Sequence, residues 1–165
     1  MSTETKTLPK LSDEGLTPTH AVKAVDEYGN TRDVHVAGES PLTVKVDGRE
    51  VVTLMTLGTR PEALALGYLR NQKLIDDVAQ IESVTVNWDV ETVFVTTTHR
   101  EGIIDWEEKL SQRTVTSGCG QGTIFSCTVD NIYNTRLPAV TVRQSMLYEL
   151  LGNITRHNEI YKQAG

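Results

Sequence analysis

The residue type best suited to chemistry in this chain is a cysteine framed by glycines. Cys119 sits in Thr116-Ser117-Gly118-Cys119-Gly120-Gln121-Gly122-Thr123, with three glycines within five positions. Glycine adopts positive φ at no steric cost, so the stretch reads as an exposed loop. Gly118, Gly120 and Gly122 are the candidate support: successive backbone N–H groups in such a turn can form a nest that favours a thiolate over a thiol. An ordinary thiol is only slightly ionised at neutral pH, and making it mostly thiolate takes about 2.7 kcal/mol of differential stabilisation. A few N–H dipoles or one cation supply that, and Arg113, six residues away, is the candidate cation. The competing reading is a small packed residue in a tight turn, since free cysteine is among the most buried residue types.

Two other chemistries are weighed against this one. A thiol hydrolase needs a base beside Cys119, and His20, His35, His99 and His157 are the candidates, none at a favouring spacing. A zinc deaminase would use the H-x-E pattern His157-Asn158-Glu159, but no P-C-x-x-C follows it, so no metal site is assigned. His35 reads as a solvated strand residue, and His157 as a polar residue at a helix C-terminus. Trp88 and Trp106 read as core or sheet-surface residues.

Composition narrows the class. The 165 residues carry a net charge of −6, with 38% hydrophobic and 23% charged residues. That balance fits one globular domain, or one plus part of another, and argues against nucleic-acid binding and anionic membrane surfaces. No apolar run approaches a membrane span, and no signal peptide is expected. Two cysteines make no disulfide framework, which points to the cytoplasm.

The elements that must position Cys119 follow from pattern. Residues 1–19 are expected as a disordered arm. Ala21 to Asp26 and Thr31 to Val36 read as strands around a Glu27–Asn30 turn. Leu42, Val44 and Val46 share a strand face, Asp47-Gly48 marks a hairpin, and Glu50 to Thr56 returns. Val51, Val52, Leu54 and Met55 are apolar on both faces of that return, which predicts a central strand. Thr59 with Glu62 is a capping-box pattern, with Pro61 in the first turn of a helix ending near Asn71. Its pairs Leu64/Tyr68 and Ala65/Leu69 meet at i,i+4. Ser83 to Trp88 and Thr92 to Thr98 are expected to pair, with Val84, Val86, Val93 and Val95 inward. Phe125 to Val129 reads as a short strand and Asn134 to Pro138 as a linker. Thr141 with Gln144 predicts a second capped helix, whose stripe Val142, Met146, Leu150 and Ile154, beside Leu147 and Leu151, needs a partner surface. Too little chain follows to cover it, so a second domain is expected to be cut short. The expected domains are 20–112, β-rich; 113–139, the cysteine loop and linker; and 140–165, the first part of that second domain.

These parts, in this order, resemble the FdhD/NarQ family of formate dehydrogenase accessory sulfurtransferases. Leu54-Met55-Thr56, then Glu62-Ala63-Leu64-Ala65-Leu66-Gly67-Tyr68-Leu69 and Leu74-Ile75, are similar to the family's helix motif. Ser117-Gly118-Cys119-Gly120 resembles its cysteine motif, and Ile160-Tyr161-Lys162-Gln163-Ala164-Gly165 the opening of a glycine-rich segment. The resemblance runs from about residue 20 to the end. Two positions depart: Gly122 stands where the family usually has a second cysteine, and Gln72-Lys73 replaces an acidic-glycine pair; Cys127 is the other cysteine.

The resemblance implies an α+β fold. It comprises a ubiquitin-roll-like β-rich domain with one packed helix, then a cysteine loop and the start of a cytidine-deaminase-like α/β domain. It implies a carrier that takes persulfide sulfur from a cysteine desulfurase onto Cys119 and passes it to the molybdenum bis-guanine-dinucleotide pterin (bis-MGD) cofactor of formate dehydrogenase. That cofactor is the acceptor, and no residue here is assigned to binding it. The implied partners are the desulfurase, the dehydrogenase, and a second copy or a complementing C-terminal half. The alternative is a non-catalytic docking module of a split or decayed relative.

Overall fold

The computed structural model describes residues 8–103, 105–106, 113–115, 123–125, 135–136, 138–158, 160 and 162. In chain order the elements are β1 (Lys10–Leu11), β2 (Thr19–Val25), β3 (Thr31–Ala37), β4 (Ser40–Val46), β5 (Arg49–Thr56) and α1 (Pro61–Asn71). Then come β6 (Ile81–Asn87), β7 (Thr92–Thr97), β8 (Arg113–Val115), β9 (Thr123–Phe125) and α2 (Gln144–His157). The fold is mixed α+β, with a β-rich sheet and two helices among the described residues. These residues fall into two compact units, one drawn from Met1–Leu16 and Ser40–Thr135, the other from Thr17–Glu39 and Arg136–Gly165.

The first unit is built on a five-stranded sheet of order β1-β6-β7-β4-β5. Asp47 and Gly48 both take positive φ, 45° and 83°, and so close the β4–β5 hairpin as the sequence predicts. α1 then carries the chain across, and β7 returns beside β4 in parallel. Val44, Val46, Val84, Val93 and Val95 alternate inward and are almost wholly buried, together with Ala65 and Leu69 of α1. Leu64 and Tyr68 pack against this core, so both helix pairs do the work their spacing implies.

The structure corrects several expectations. β5 is an edge strand, not a central one, and Met55 is 55% exposed. The cause is a bulge. Val44 pairs with Val52 but Lys45 pairs with Glu50, leaving Val51 as the extra residue. A bulge changes the parity of the strand, so Val51 is buried while Val52 and Leu54 also pack on the core. β6 repeats the device: Ile81 pairs with Thr97 and Ser83 with Thr96, so Glu82 is extra and Ile81 turns inward beside Val84.

Neither expected capping box forms. Arg60 and Arg143 are the N-caps of α1 and α2, without side-chain cap bonds. Gln144 Nε2 instead donates to the Tyr148 hydroxyl at 3.1 Å, and Glu62 is drawn to the N-terminal segment. A capping box does form where none was expected, between Asp77 and Gln80 around the short turn Val78–Gln80.

Residues 10–16, expected within a disordered arm, are strapped to the sheet. β1 pairs in parallel with β6. The Ser12 amide donates to the Val84 carbonyl at 3.1 Å, and the Leu16 amide to the Gly58 carbonyl at 2.8 Å. Polar bonds to one carboxylate outweigh the chain entropy that composition alone favours.

The hairpin β2–β3 of the second unit runs in unbroken register from Thr19↔Ala37 to Val25↔Thr31. Expected as part of the β-rich domain, it pairs only with itself among the described residues and falls in the other unit. Asp26 organises its turn, accepting from the amides of Tyr28 and Asn30. α2 is exposed at every described side chain, including Met146, Leu147, Leu150, Leu151 and Ile154.

Candidate functional site

The sequence directs attention to residues 116–122, and the structure describes what lies on either side of them. β8 and β9 pair antiparallel, with Arg113↔Phe125, Thr114↔Ile124 and Val115↔Thr123. Opposed residues in such a ladder lie about 5 Å apart, so both ends of the connecting stretch are held together. Cys119 is the middle residue of that stretch. Cys119, Gly118, Gly120 and Gly122 themselves lie outside the described residues, as do Cys127 and the expected strand beyond Phe125. Of the expected strand Phe125 to Val129, only its first residue is described, as the last residue of β9.

The remaining candidates are placed as follows. Arg113 opens β8, two residues, about 7 Å, before that strand's last residue Val115. His20 and His35 lie on β2 and β3, and the His35 ring is bonded to Thr19 Oγ1 at 3.4 Å. His99 lies just beyond β7, and His157 ends α2. Glu159 of the H-x-E pattern is outside the described residues. Among the described residues no three His, Cys, Asp or Glu side chains are grouped to hold a metal ion. Trp88 and Trp106 pack against the core, and Trp88 Nε1 donates to the Glu14 carbonyl at 2.6 Å.

Two arrangements escape a sequence reading because distant segments assemble them. One centres on Glu62. Its carboxylate accepts from Ser12 Oγ at 2.6 Å and from the Glu14 amide at 3.0 Å. Burial pushes the Glu62 carboxyl up, but the Ser12 hydroxyl and the amides of Glu14, Glu62 and Asp13 outweigh it and hold the group below the usual glutamate range. Ser12 Oγ accepts in turn from the Val86 amide at 2.9 Å.

The other is a cavity of about 90 Å³ lined by Leu74, Ile75, Gln80, Thr97, His99 and Ile103 among others. It has room for about three waters and is far smaller than the ~300 Å³ or more of a drug-sized ligand site. Its wall is set by Asp47, whose carboxylate accepts from the Thr97 amide, the Thr97 hydroxyl and the Gly102 amide at 2.5–3.0 Å.

A sequence profile of the FdhD/NarQ family matches residues 37–165. Among curated relatives, the chain is similar to the sulfur carrier protein FdhD of Staphylococcus aureus strain Newman, 26% identical over 137 residues. The alignment covers 82% of this chain and 51% of that relative. The same protein of strain MRSA252 is 25% identical over the same shares. The chain thus spans about half the length of the curated relatives it matches. It is also similar to a crystal structure described provisionally as a formate dehydrogenase accessory protein of Desulfotalea psychrophila. There the TM-score is 0.42 at 22% identity, covering 49% of this chain and 35% of that one. No helix of the described residues is long and apolar enough to cross a membrane.

Proposed function

This chain belongs to the FdhD/NarQ family, and from that premise we propose that it acts as a sulfur carrier through Cys119. One observation carries the reading. The family match includes Cys119, and that cysteine is centred between two strands paired to each other. A carrier must present its sulfur to two partners in turn. A glycine-flanked segment anchored at both ends suits that task.

In the proposed step the Cys119 thiolate attacks the outer sulfur of a persulfide presented by a cysteine desulfurase. A new S–S bond forms on Cys119, the donor's S–S bond breaks, and the donor cysteine leaves as a thiolate, so no outside oxidant is needed. The Cys119 persulfide would then donate its sulfane sulfur to the molybdenum bis-MGD cofactor destined for formate dehydrogenase: the S–S bond breaks, Cys119 leaves as a thiolate, and the two electrons that take the sulfur to sulfide come from the reduced molybdenum of the acceptor. With Gly122 at the usual second cysteine position, the carrier works with one thiol, and Cys127 takes no part. The chemistry suits the cytoplasm, where thiols stay reduced. The strand order, with β4 and β7 parallel at the centre and one helix crossing, supports a ubiquitin-roll reading of the sheet. In the same reading 113–139 is the carrier segment, and 140–165 opens a cytidine-deaminase-like domain.

The test is intact-mass analysis after incubating the full chain with a cysteine desulfurase and cysteine. The expected result is a gain of about 32 Da, one sulfur atom, lost in Cys119→Ser and kept in Cys127→Ser. No gain, or a gain residing on Cys127, would refute the carrier.

One observation favours a second reading, a non-catalytic docking module. Among the described residues the apolar face of α2 is exposed. A second copy or a complementing half would then cover that face. A chain that binds a second copy or such a half while Cys119 takes up no sulfur, alone or in the mixture, would support this reading.

A further inference from the structure

The strap of residues 10–16 does more than cover a sheet edge. The chain leaves the first unit at Leu16 and re-enters it at Ser40, so β2 and β3, grouped with residues 136–165 in the second unit, are joined to the first through the chain at both of their ends. The second attachment is covalent continuity into β4. The first exists only while the strap is docked.

The docking is polar and narrow. The β1–β6 ladder is two residues long, and Leu8 and Leu11 remain 73% and 52% exposed. What holds the strap is a small set of hydrogen bonds. Glu62 accepts from Ser12 and Glu14, Ser12 Oγ accepts from the Val86 amide, the Ser12 amide meets Val84, the Leu16 amide meets Gly58, and Trp88 meets Glu14. Glu62 and Ser12 are shared by most of them. Few buried apolar contacts and a shared polar anchor are the signature of a segment that opens locally before the core does.

We propose that residues 10–16 are a releasable latch, closed by the Ser12–Glu62 pair, that fixes the N-terminal attachment of the β2–β3 hairpin. A two-stranded hairpin is at best marginally stable alone. Its ion pair of Lys23 with Asp33 at 2.7 Å is well exposed and contributes little. Undocking the latch turns a hairpin tethered at both ends into one tethered at a single end, and also bares the Val84 carbonyl and Val86 amide on the β6 edge. The inference does not depend on Cys119.

Amide hydrogen exchange on the full chain tests it. Glu62→Ala is expected to speed exchange at Ser12, Glu14, Leu16 and Val86 at least about ten-fold, the loss expected of one charge-assisted hydrogen bond. Amides of β2 and β3 follow, while Val44, Val93 and Val95 keep their protection. Ser12→Ala, which leaves the helix untouched, gives the same pattern and decides the matter if Glu62→Ala fails to fold. Equal acceleration of strap and core overturns the proposal, because the pair then serves the whole fold. Unchanged strap exchange, or a freed strap with an unchanged hairpin, overturns it as well.

Discussion

Glu62 is 5% exposed and still carries its charge among hydrogen-bond donors. Its carboxyl titrates below an ordinary glutamate, so the unfolded chain binds the proton more readily than the folded one. The contribution is therefore complete above the ordinary glutamate range and is lost as pH falls through the lowered folded value. Glu62→Gln is expected to cost about 2 kcal/mol at pH 7 and clearly less near pH 3, measured by denaturant unfolding at both. Two glycines make an opposed pair at the same scale. Gly58 has φ +73°, and a Cβ there would meet the Leu16 Cβ at 2.9 Å, so Gly58→Ala is expected to destabilise by about 1–2 kcal/mol. Gly67 lies inside α1 with nothing within 4 Å of an added Cβ, so Gly67→Ala is expected to stabilise by about 0.5–1 kcal/mol. Thermal melts of the two variants should move in opposite directions.

At the scale of elements, periodicity carried the sheet far and failed where a ladder slips. Leu42, Val44 and Val46, the Asp47-Gly48 turn, α1 to Asn71 and the β6–β7 pairing could all be read from residue spacing. The edge position of β5 could not. A bulge places Val51 and Val52 toward the same core, and alternation alone reads such a pair as two buried faces. Met55→Lys should therefore change stability by no more than about 0.5 kcal/mol in denaturant titration, as an edge residue does; a central position would unfold. Capping boxes misled for a related reason. Their side chains are few and adaptable, and Glu62 found better donors 50 residues away in sequence. The three-residue strands β8 and β9 have no period to read, since only their pairing defines them.

For the whole molecule, three motif stretches in the right order were enough to find the family, because local sequence carries them, while Cys119 lies outside the described residues. The division into two units was not legible, since it depends on which strands decline to pair. Nor was the strap, a polar sequence made orderly by a site assembled elsewhere. Its bonds to Val86 and Trp88 each span 74 residues. Closing so long a loop delays the contacts that depend on it. During synthesis residues 10–16 leave the ribosome well before β6, must therefore wait for it, and are slow to settle. Until they do, the growing sheet shows an unguarded margin to its neighbours. Fusions joined just ahead of Lys10 should lengthen that interval and lower the yield of soluble protein.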